Sequence, residues 1–376
     1  MLLCFLFLAA LGATGAVVLL RQPEFGALPE GARLEAVRRS PHYADGRFAN
    51  LIPTRSFSKD GNLLSTLVKN FLLEKKRTRP SRPLPAVKTD FAGLAAAGDV
   101  LVWLGHSSYY LQLDGKRILI DPVLSDHASP LGGINTAFPA AVRFTVADLP
   151  VIDCLLVSHD HWDHLDYPTV AALRDKVRDI VCPLGLGAYF AYWGYPEERI
   201  HEADWFESVA LAGDLAVHVL PARHFSGRLL RRNKTLWAGF ALTTPRQRVF
   251  FSGDSGYGPH FADIGGRFGG FDAVMLDCGQ YDRQWAFMHM TPEEAAQAAE
   301  DLGARALFPA HVGKFSIAFH PWDEPLERIA VASRGRSYRL LTPMIGEAAR
   351  LDDAAGAYAQ WWKGVDEGAN VAARGF

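Results

Sequence analysis

His159-Asp160-His161-Trp162-Asp163-His164 is the stretch whose reading decides the fold. Four of its side chains, His159, His161, Asp163 and His164, are metal-ligand types within one turn of chain. The stretch directly follows Val151-Ile152-Asp153-Cys154-Leu155-Leu156-Val157, an apolar run that reads as a buried strand. Imidazole and carboxylate together suit zinc and similar divalent ions. His159 and His161, at i and i+2 on an extended segment, can converge on one ion. Asp163 and His164 are turned away and better placed to serve a second. The competing reading is a polar loop that happens to be rich in histidine. It is disfavoured because ligand types at this density are costly in a fold unless something binds them.

Working outward, the same strand-then-ligand pattern recurs. His224 follows LAVHVLPA, Asp254 ends RVFFSGD between Gly253 and Gly256, and His311 follows ALFPA. Strand ends along one edge of a sheet are where loop-borne chemistry collects. His42, His127, His201, His218 and His260 lack the pattern and read as packing or surface residues. From Asp99 onward VLVWLG, SYYLQLD and RILIDP read as strands joined by tight turns, the second turn at Asp114-Gly115. Thr169 to Val177 reads as a helix, followed by the strand DIVCPL. AGFALTT and DAVMLDC are further strands. Thr291-Pro292-Glu293-Glu294 opens a helix with a capping box and a proline at its first position, and that helix ends at Gly303. Strands in runs with interspersed helices predict two sheets with helices packed outside, an αββα sandwich of α/β (α+β) class.

Composition sets the remaining bounds. A chain of 376 residues, 49% hydrophobic and 21% charged, packs a sizeable core, and its formal net charge of -2 argues against a nucleic-acid partner. Of the cysteines, Cys4 lies in an apolar leader. Cys154, Cys182 and Cys278 form no CxxC, which favours buried thiols over a disulfide framework or a cysteine metal site. Residues 1–20 carry no charge and are long enough to span a bilayer core as a helix. A cleaved secretory signal, with export of the protein, is the alternative. The missing basic n-region and the arginines at 21, 33, 38 and 39 favour an uncleaved anchor with the body of the chain in the cytoplasm. Residues 21–95 read as an extension rather than core. Within them Leu63 to Leu73 has apolar residues at helical spacing, and a basic run from Lys75 to Arg82 follows, which suits either anionic lipid headgroups or a solvated helix face. The sandwich domain is expected over 96–345, with a tail over 346–376 packing on it.

The ordered set of HxHxDH at 159–164, His224, Asp254 in SGDSGYGPHF and His311 resembles the metallo-β-lactamase superfamily. Within it, WLGHSSYYLQLDGKRILIDPVLSDHASP, PARHFSGRLLRRNKTLWAGFAL and HMTPEEAAQAAEDLGA are most similar to the N-acyl-phosphatidylethanolamine-hydrolysing phospholipases D and their bacterial relatives, among them the ascorbate-phosphate lactonase-like group. The resemblance covers roughly residues 98 to 330. It implies the four-layer αββα fold and two divalent ions, zinc by default with manganese or iron on the same ligands. One ion takes His159, His161 and His224. The other takes Asp163, His164 and His311, with Asp254 bridging. Such a pair activates water near neutral pH and stabilises charge on substrate oxygens, with Asp163 orienting the water or receiving a proton. Asp121 matches a strand-end aspartate that orients ligands, the alternative being a plain turn residue before Pro122. His289 matches a position near the substrate and is the candidate phosphate or oxyanion contact. His106, expected at the mouth of the site, and His320 are further candidates to touch substrate. The implied reaction is hydrolysis of a phosphodiester, an N-acyl-phosphatidylethanolamine-type phospholipid at a bilayer. The alternatives are a tethered lactonase or other small-molecule hydrolase, and a non-catalytic regulatory or scaffold protein. Val312 and Lys314 depart from the lipid-enzyme pattern.

Overall fold

The computed structural model describes residue 15 and residues 17–58, 76–96, 98–228, 231–352, 356 and 358–366. Fourteen strands build two facing sheets. In chain order they are β1 (Val100–Trp103), β2 (Tyr109–Leu113), β3 (Lys116–Ile120), β4 (Ile152–Leu156), β5 (Val177–Pro183), β6 (Ile200–Ala203) and β7 (Ser208–Leu211). There follow β8 (Leu215–Leu220), β9 (Gly239–Thr243), β10 (Arg248–Phe251), β11 (Ala273–Asp277), β12 (Ala306–Ala310), β13 (Arg339–Leu340) and β14 (Ala348–Arg350). The first sheet runs β14-β1-β2-β3-β4-β5-β6 and the second β7-β8-β9-β10-β11-β12-β13. Each begins with antiparallel pairs and changes to parallel pairs at its fourth strand, β3 pairing with β4 and β10 with β11. The two sheets are therefore built on one plan.

Central strands such as β2, β11 and β12 are buried along their whole length, as expected where both faces of a sheet are covered. The sheets meet through aromatic side chains. Tyr109 on β2 donates a hydrogen bond to the Pro309 carbonyl on β12 (2.8 Å), and its ring lies 6.2 Å from that of Phe251 on β10. The helix Pro292–Asp301 packs on β11 and beside the helices His260–Phe268 and Glu324–Ala332. Its capping box forms as read, Thr291 Oγ1 accepting from the Glu294 amide and the Glu294 carboxylate accepting from the Thr291 amide. The chain is thus a mixed α/β sandwich of two seven-stranded sheets, as the sequence predicts.

Two expectations are corrected. The helix read over Thr169–Val177 spans Tyr167–Leu173. Pro168 fits a first helical turn, and buried Val177 opens β5, paired with Ile152. The segment over 21–95 is more than an extension. Phe25, Val37, Phe48, Leu84 and Phe91 join the same apolar core as the sheets, and Arg33 pairs with Glu202 (2.6 Å). No described helix is long and apolar enough to cross a membrane. Most of the leader (1–14 and 16), and the Leu63 to Leu73 stretch, lie outside the described residues. Cys154, Cys182 and Cys278 are buried free thiols.

Candidate metal centre and its cleft

The parallel strands carry the chemistry at their C-terminal ends. Asp121 follows β3, the 159–164 loop follows β4, Asp254 follows β10, Asp277 ends β11 and His311 follows β12. The two sheets thereby deliver their loops to one edge. Two constellations form there. In the first, His159 Nε2 and His224 Nε2 lie 2.9 and 3.2 Å from His161 Nδ1, with Asp254 Oδ2 3.7 Å from each of those Nε2 atoms. In the second, His164 Nε2 is 3.1 Å from Asp254 Oδ1, and His311 Nε2 is 3.1 Å from Asp163 Oδ2 and 3.4 Å from Asp254 Oδ2. Asp254 faces both. These are the seven side chains named from the sequence, brought together and, apart from the half-buried His161, buried.

Local backbone holds the groups in place. Asp254 lies between two glycines that admit no side chain. A Cβ on Gly253 (φ +58) would sit 2.5 Å from the Ala238 carbonyl, and one on Gly256 would sit 2.0 Å from that of Phe287. His106 (φ 53), Asp121 (φ 41), Gln280 (φ 56) and His311 (φ 65) occupy the left-handed region, which non-glycine residues enter at a cost and which clusters at functional sites. Asp121 is fully buried. It accepts from the Ser158 amide (2.7 Å), the Ser158 hydroxyl (2.5 Å) and His164 Nδ1 (2.7 Å), while Ser158 Oγ lies 2.9 Å from His159 Nδ1. His224 Nδ1 donates to the Met288 carbonyl (3.0 Å), which leaves Nε2 as the lone-pair nitrogen. Asn50, from the N-terminal segment, clamps the His224 backbone with bonds of 3.0 and 2.8 Å.

The donor set fits divalent cations. Three ring nitrogens of the first constellation converge at hydrogen-bond distance, and two of them have their other nitrogen already engaged, so lone pairs face one another in a buried space. In the second, His164 Nε2 and Asp254 Oδ1 are buried with no hydrogen-bond partner despite their proximity. Both conditions are costly for a polypeptide alone and are relieved by a cation. The electrostatics agree. Burial pushes His159 and His224 well below the usual histidine range and His161 down to about 4, so these imidazoles are neutral. In the second constellation burial is outweighed by Asp254 and its neighbouring carboxylates. They hold His164 well above its ordinary value and push His311 up to about 10. Burial would likewise raise Asp163 and Asp254, but His164 and the facing histidines hold both well below the carboxylate range. Histidines held up and carboxylates held down in one buried cluster are what a site for a cation would show.

The other candidates are placed as follows. His106 is not at the mouth but fully buried, with Nε2 2.9 Å from Asp163 Oδ2, so it braces that carboxylate from behind. His320 stands outside the cluster. Its Nε2 accepts from the Gln280 amide (2.9 Å) and its Nδ1 donates to the Pro321 carbonyl (2.8 Å), which leaves no ring nitrogen for a substrate. His289 lines the cleft and is held through Nδ1 by Asp277 (2.8 Å). Asp277 is the residue that sequence reasoning missed. It is fully buried, lies 3.4 Å from His311 Nδ1, and ends a strand just as Asp254 follows one, a signal present in DAVMLDC. Above the cluster opens a cavity of about 420 Å³ walled by Phe57, Trp162, Phe225, Trp285, Met288 and Ile317.

Buried imidazole and carboxylate at the end of an αββα sandwich, beneath an apolar-walled cleft, define a metal-dependent hydrolase architecture. The model of the beta-lactamase superfamily domain matches residues 116–312. An uncharacterised protein of Mycobacterium tuberculosis is 41% identical over 325 residues, covering 85% of this chain and 87% of that protein. The mitochondrial N-acyl-phosphatidylethanolamine-hydrolyzing phospholipase D of Saccharomyces cerevisiae is 32% identical over 265 residues, covering 66% of this chain and 55% of the yeast protein. The crystal structure of an isothiocyanate hydrolase from Delia radicum gut bacteria shares the fold, with a TM-score of 0.51, 19% identity, and coverage of 70% of this chain and 100% of that one. The chain belongs to the metallo-β-lactamase superfamily and is a hydrolase.

Proposed function

We propose that the protein hydrolyses a phosphodiester, of the N-acyl-phosphatidylethanolamine type, with two divalent ions held by His159, His161 and His224 on one side and Asp163, His164 and His311 on the other, Asp254 serving both. The observation that carries this reading is a doubly anionic, imidazole-rich floor beneath a cleft with mostly apolar walls. It is supported by the 32% identity to the yeast phospholipase. Bound ions of this kind supply a nucleophile from water near neutral pH and neutralise substrate oxygens. The chain's own residues do the rest. Trp162, Phe225, Trp285 and Met288 accept apolar parts of the substrate and exclude water. Asp277 fixes the His289 ring through Nδ1, which frees its Nε2 for a hydrogen bond to a substrate or leaving-group oxygen. Asp163, braced by His106 and His311, orients the attacking water. Zinc is the proposed metal.

The test is a panel assay of purified protein against N-acyl phospholipids, simpler phosphodiesters and lactones, with elemental analysis of the same sample. Close to two transition-metal ions per chain with phosphodiesterase activity is expected. Rapid lactone opening without phosphodiester cleavage would overturn the substrate class. The uncharged leader is further proposed as a membrane anchor that brings the site to its lipid. Full-length protein should then pellet with membranes and resist high salt, whereas protein beginning near Gln22 should not.

A further inference from the structure

Three arginines lie close behind His224 in sequence and have different fates. Arg228 is buried and consumed by the fold. Its guanidinium donates to the carbonyls of Asp160, Leu165 and Glu24 and lies over the Trp162 ring at 4.0 Å. Arg231 and Arg232 are both exposed, and Arg231 is not part of the cleft lining. Arg232 lines the cleft, and among the described lining residues it is the one lysine or arginine. Its guanidinium stacks over the Phe225 ring at 4.4 Å, and its Nη2 donates to Ser56 Oγ at 3.0 Å. Partial burial lowers its pKa from the ordinary arginine value. No carboxylate of the described residues pairs with it, and the two carboxylates in the cleft lining, Asp163 and Asp254, are engaged in the cluster. The Phe225 ring is in turn 4.6 Å from that of His161. Arg232 is therefore an exposed cation on the cleft wall, pre-set by stacking, with one aromatic ring between it and the cluster.

We propose that Arg232 forms a second anion subsite at the mouth of the cleft, so that the favoured substrates carry a carboxylate or phosphate in addition to the group held at the cluster. A guanidinium is suited to this, since its planar fork of donors matches carboxylate and phosphate oxygens two at a time. One donor is spent on Ser56, and the remaining edge is available to a ligand. Stacking on Phe225 restricts the side chain before the ligand arrives, which lowers the ordering cost of binding. An apolar stretch between the two anionic groups of the substrate would cross the Phe225 and Trp162 walls. This inference rests on the reading that the cluster, with its ions, holds an anionic group of the substrate, and it narrows the substrate class within that reading.

The experiment uses non-hydrolysable probes and reads binding. Metal-replete wild-type protein and Arg232→Gln are titrated with alkylphosphonates of increasing chain length, with and without a terminal carboxylate, following tryptophan fluorescence from the cleft. Wild-type protein should prefer the carboxylated probe, with a maximum at one chain length. At that length the preference should be on the order of 10-fold, the size expected of one charge-assisted hydrogen-bond pair. Arg232→Gln should bind both series alike, with unchanged metal content, and Arg232→Lys should restore part of the preference. Lack of any preference in the wild type overturns the subsite. Equal weakening of both series in Arg232→Gln does so too, because it marks a structural role. A preserved preference in a protein that cleaves no phosphodiester removes the phosphodiester reading and leaves the subsite standing.

Discussion

Replacing Asp121 by asparagine tests whether one buried carboxylate organises both metal constellations. Asp121 contacts no atom that an ion would bind. It accepts three hydrogen bonds, two from Ser158 and one from His164 Nδ1, and Ser158 relays its position to His159. Asparagine keeps the shape but turns one accepting oxygen into a donor. All three partners are donors toward this carboxylate, so at least one bond is lost and a buried N–H faces another. That costs about 1–3 kcal/mol in stability. The loss of orientation at His164 and His159, one from each constellation, should lower metal affinity by about 10- to 100-fold, as removing such supporting partners does. Zinc or cobalt titration against a chromophoric chelator, on protein shown by circular dichroism and thermal melting to be folded, measures it. Both ions should weaken together, because the two histidines belong to different groups. Folded Asp121→Asn protein with wild-type affinity for both ions would refute the reasoning, and weakening of one ion alone would refute the relay through Ser158.

Three further outcomes are expected. Asp254→Ala should lose both ions, since its carboxylate faces histidines of both groups, and elemental analysis still giving two would contradict the bridging role. His289→Gln should retain both ions and fold normally yet lose on the order of 100-fold in turnover, the usual cost of one preorganised donor, and unchanged steady-state kinetics would remove it from the chemistry. Loading metal-free protein should release protons. His311 is held up at about 10 and so is protonated at neutral pH, whereas an ion needs its lone pair, so metal affinity must fall as pH falls below that value. Calorimetry in buffers of different ionisation enthalpy reads the release directly, and a buffer-independent heat would contradict it.

The central strands and the seven candidate ligands were legible because the strand-then-ligand pattern is local. An apolar run of strand length followed at once by histidine or aspartate can be read without knowing what pairs with what. Short peripheral elements were not, and for a physical reason. Ile200–Ala203 and Ser208–Leu211 are only partly buried edge strands, and such strands carry little apolar signal. The N-terminal segment was misread for a related reason. Its buried residues, Phe25, Val37 and Phe48, are far apart in sequence and show no periodicity, because they plug gaps in a surface made by other elements. Asn50 belongs with them, since nothing near it in sequence hints that it clamps the backbone of a ligand histidine.

His106 shows where local reading ends. After β1 the WLGHSS turn is expected to place His106 at the mouth of the site, since loops joining strands usually lie at the surface. Here Gly105 (φ 95) and His106 (φ 53) turn the chain inward instead. The His106 amide donates to Val312 (2.9 Å), and its carbonyl accepts from the His311 amide (3.2 Å). The two sheets are stitched together at that point, which carries His106 behind Asp163 and fixes the backbone that bears His311. A strained backbone of this kind is maintained by partners more than two hundred residues away, so no window of sequence around His106 contains the reason for it. The same holds for Asp277, whose distinction from an ordinary strand-end aspartate lies in the ring of His289 above it and that of His311 beside it. First-contact residues announce themselves by type and spacing, and the groups that hold them are recognisable only once the two sheets are closed over each other.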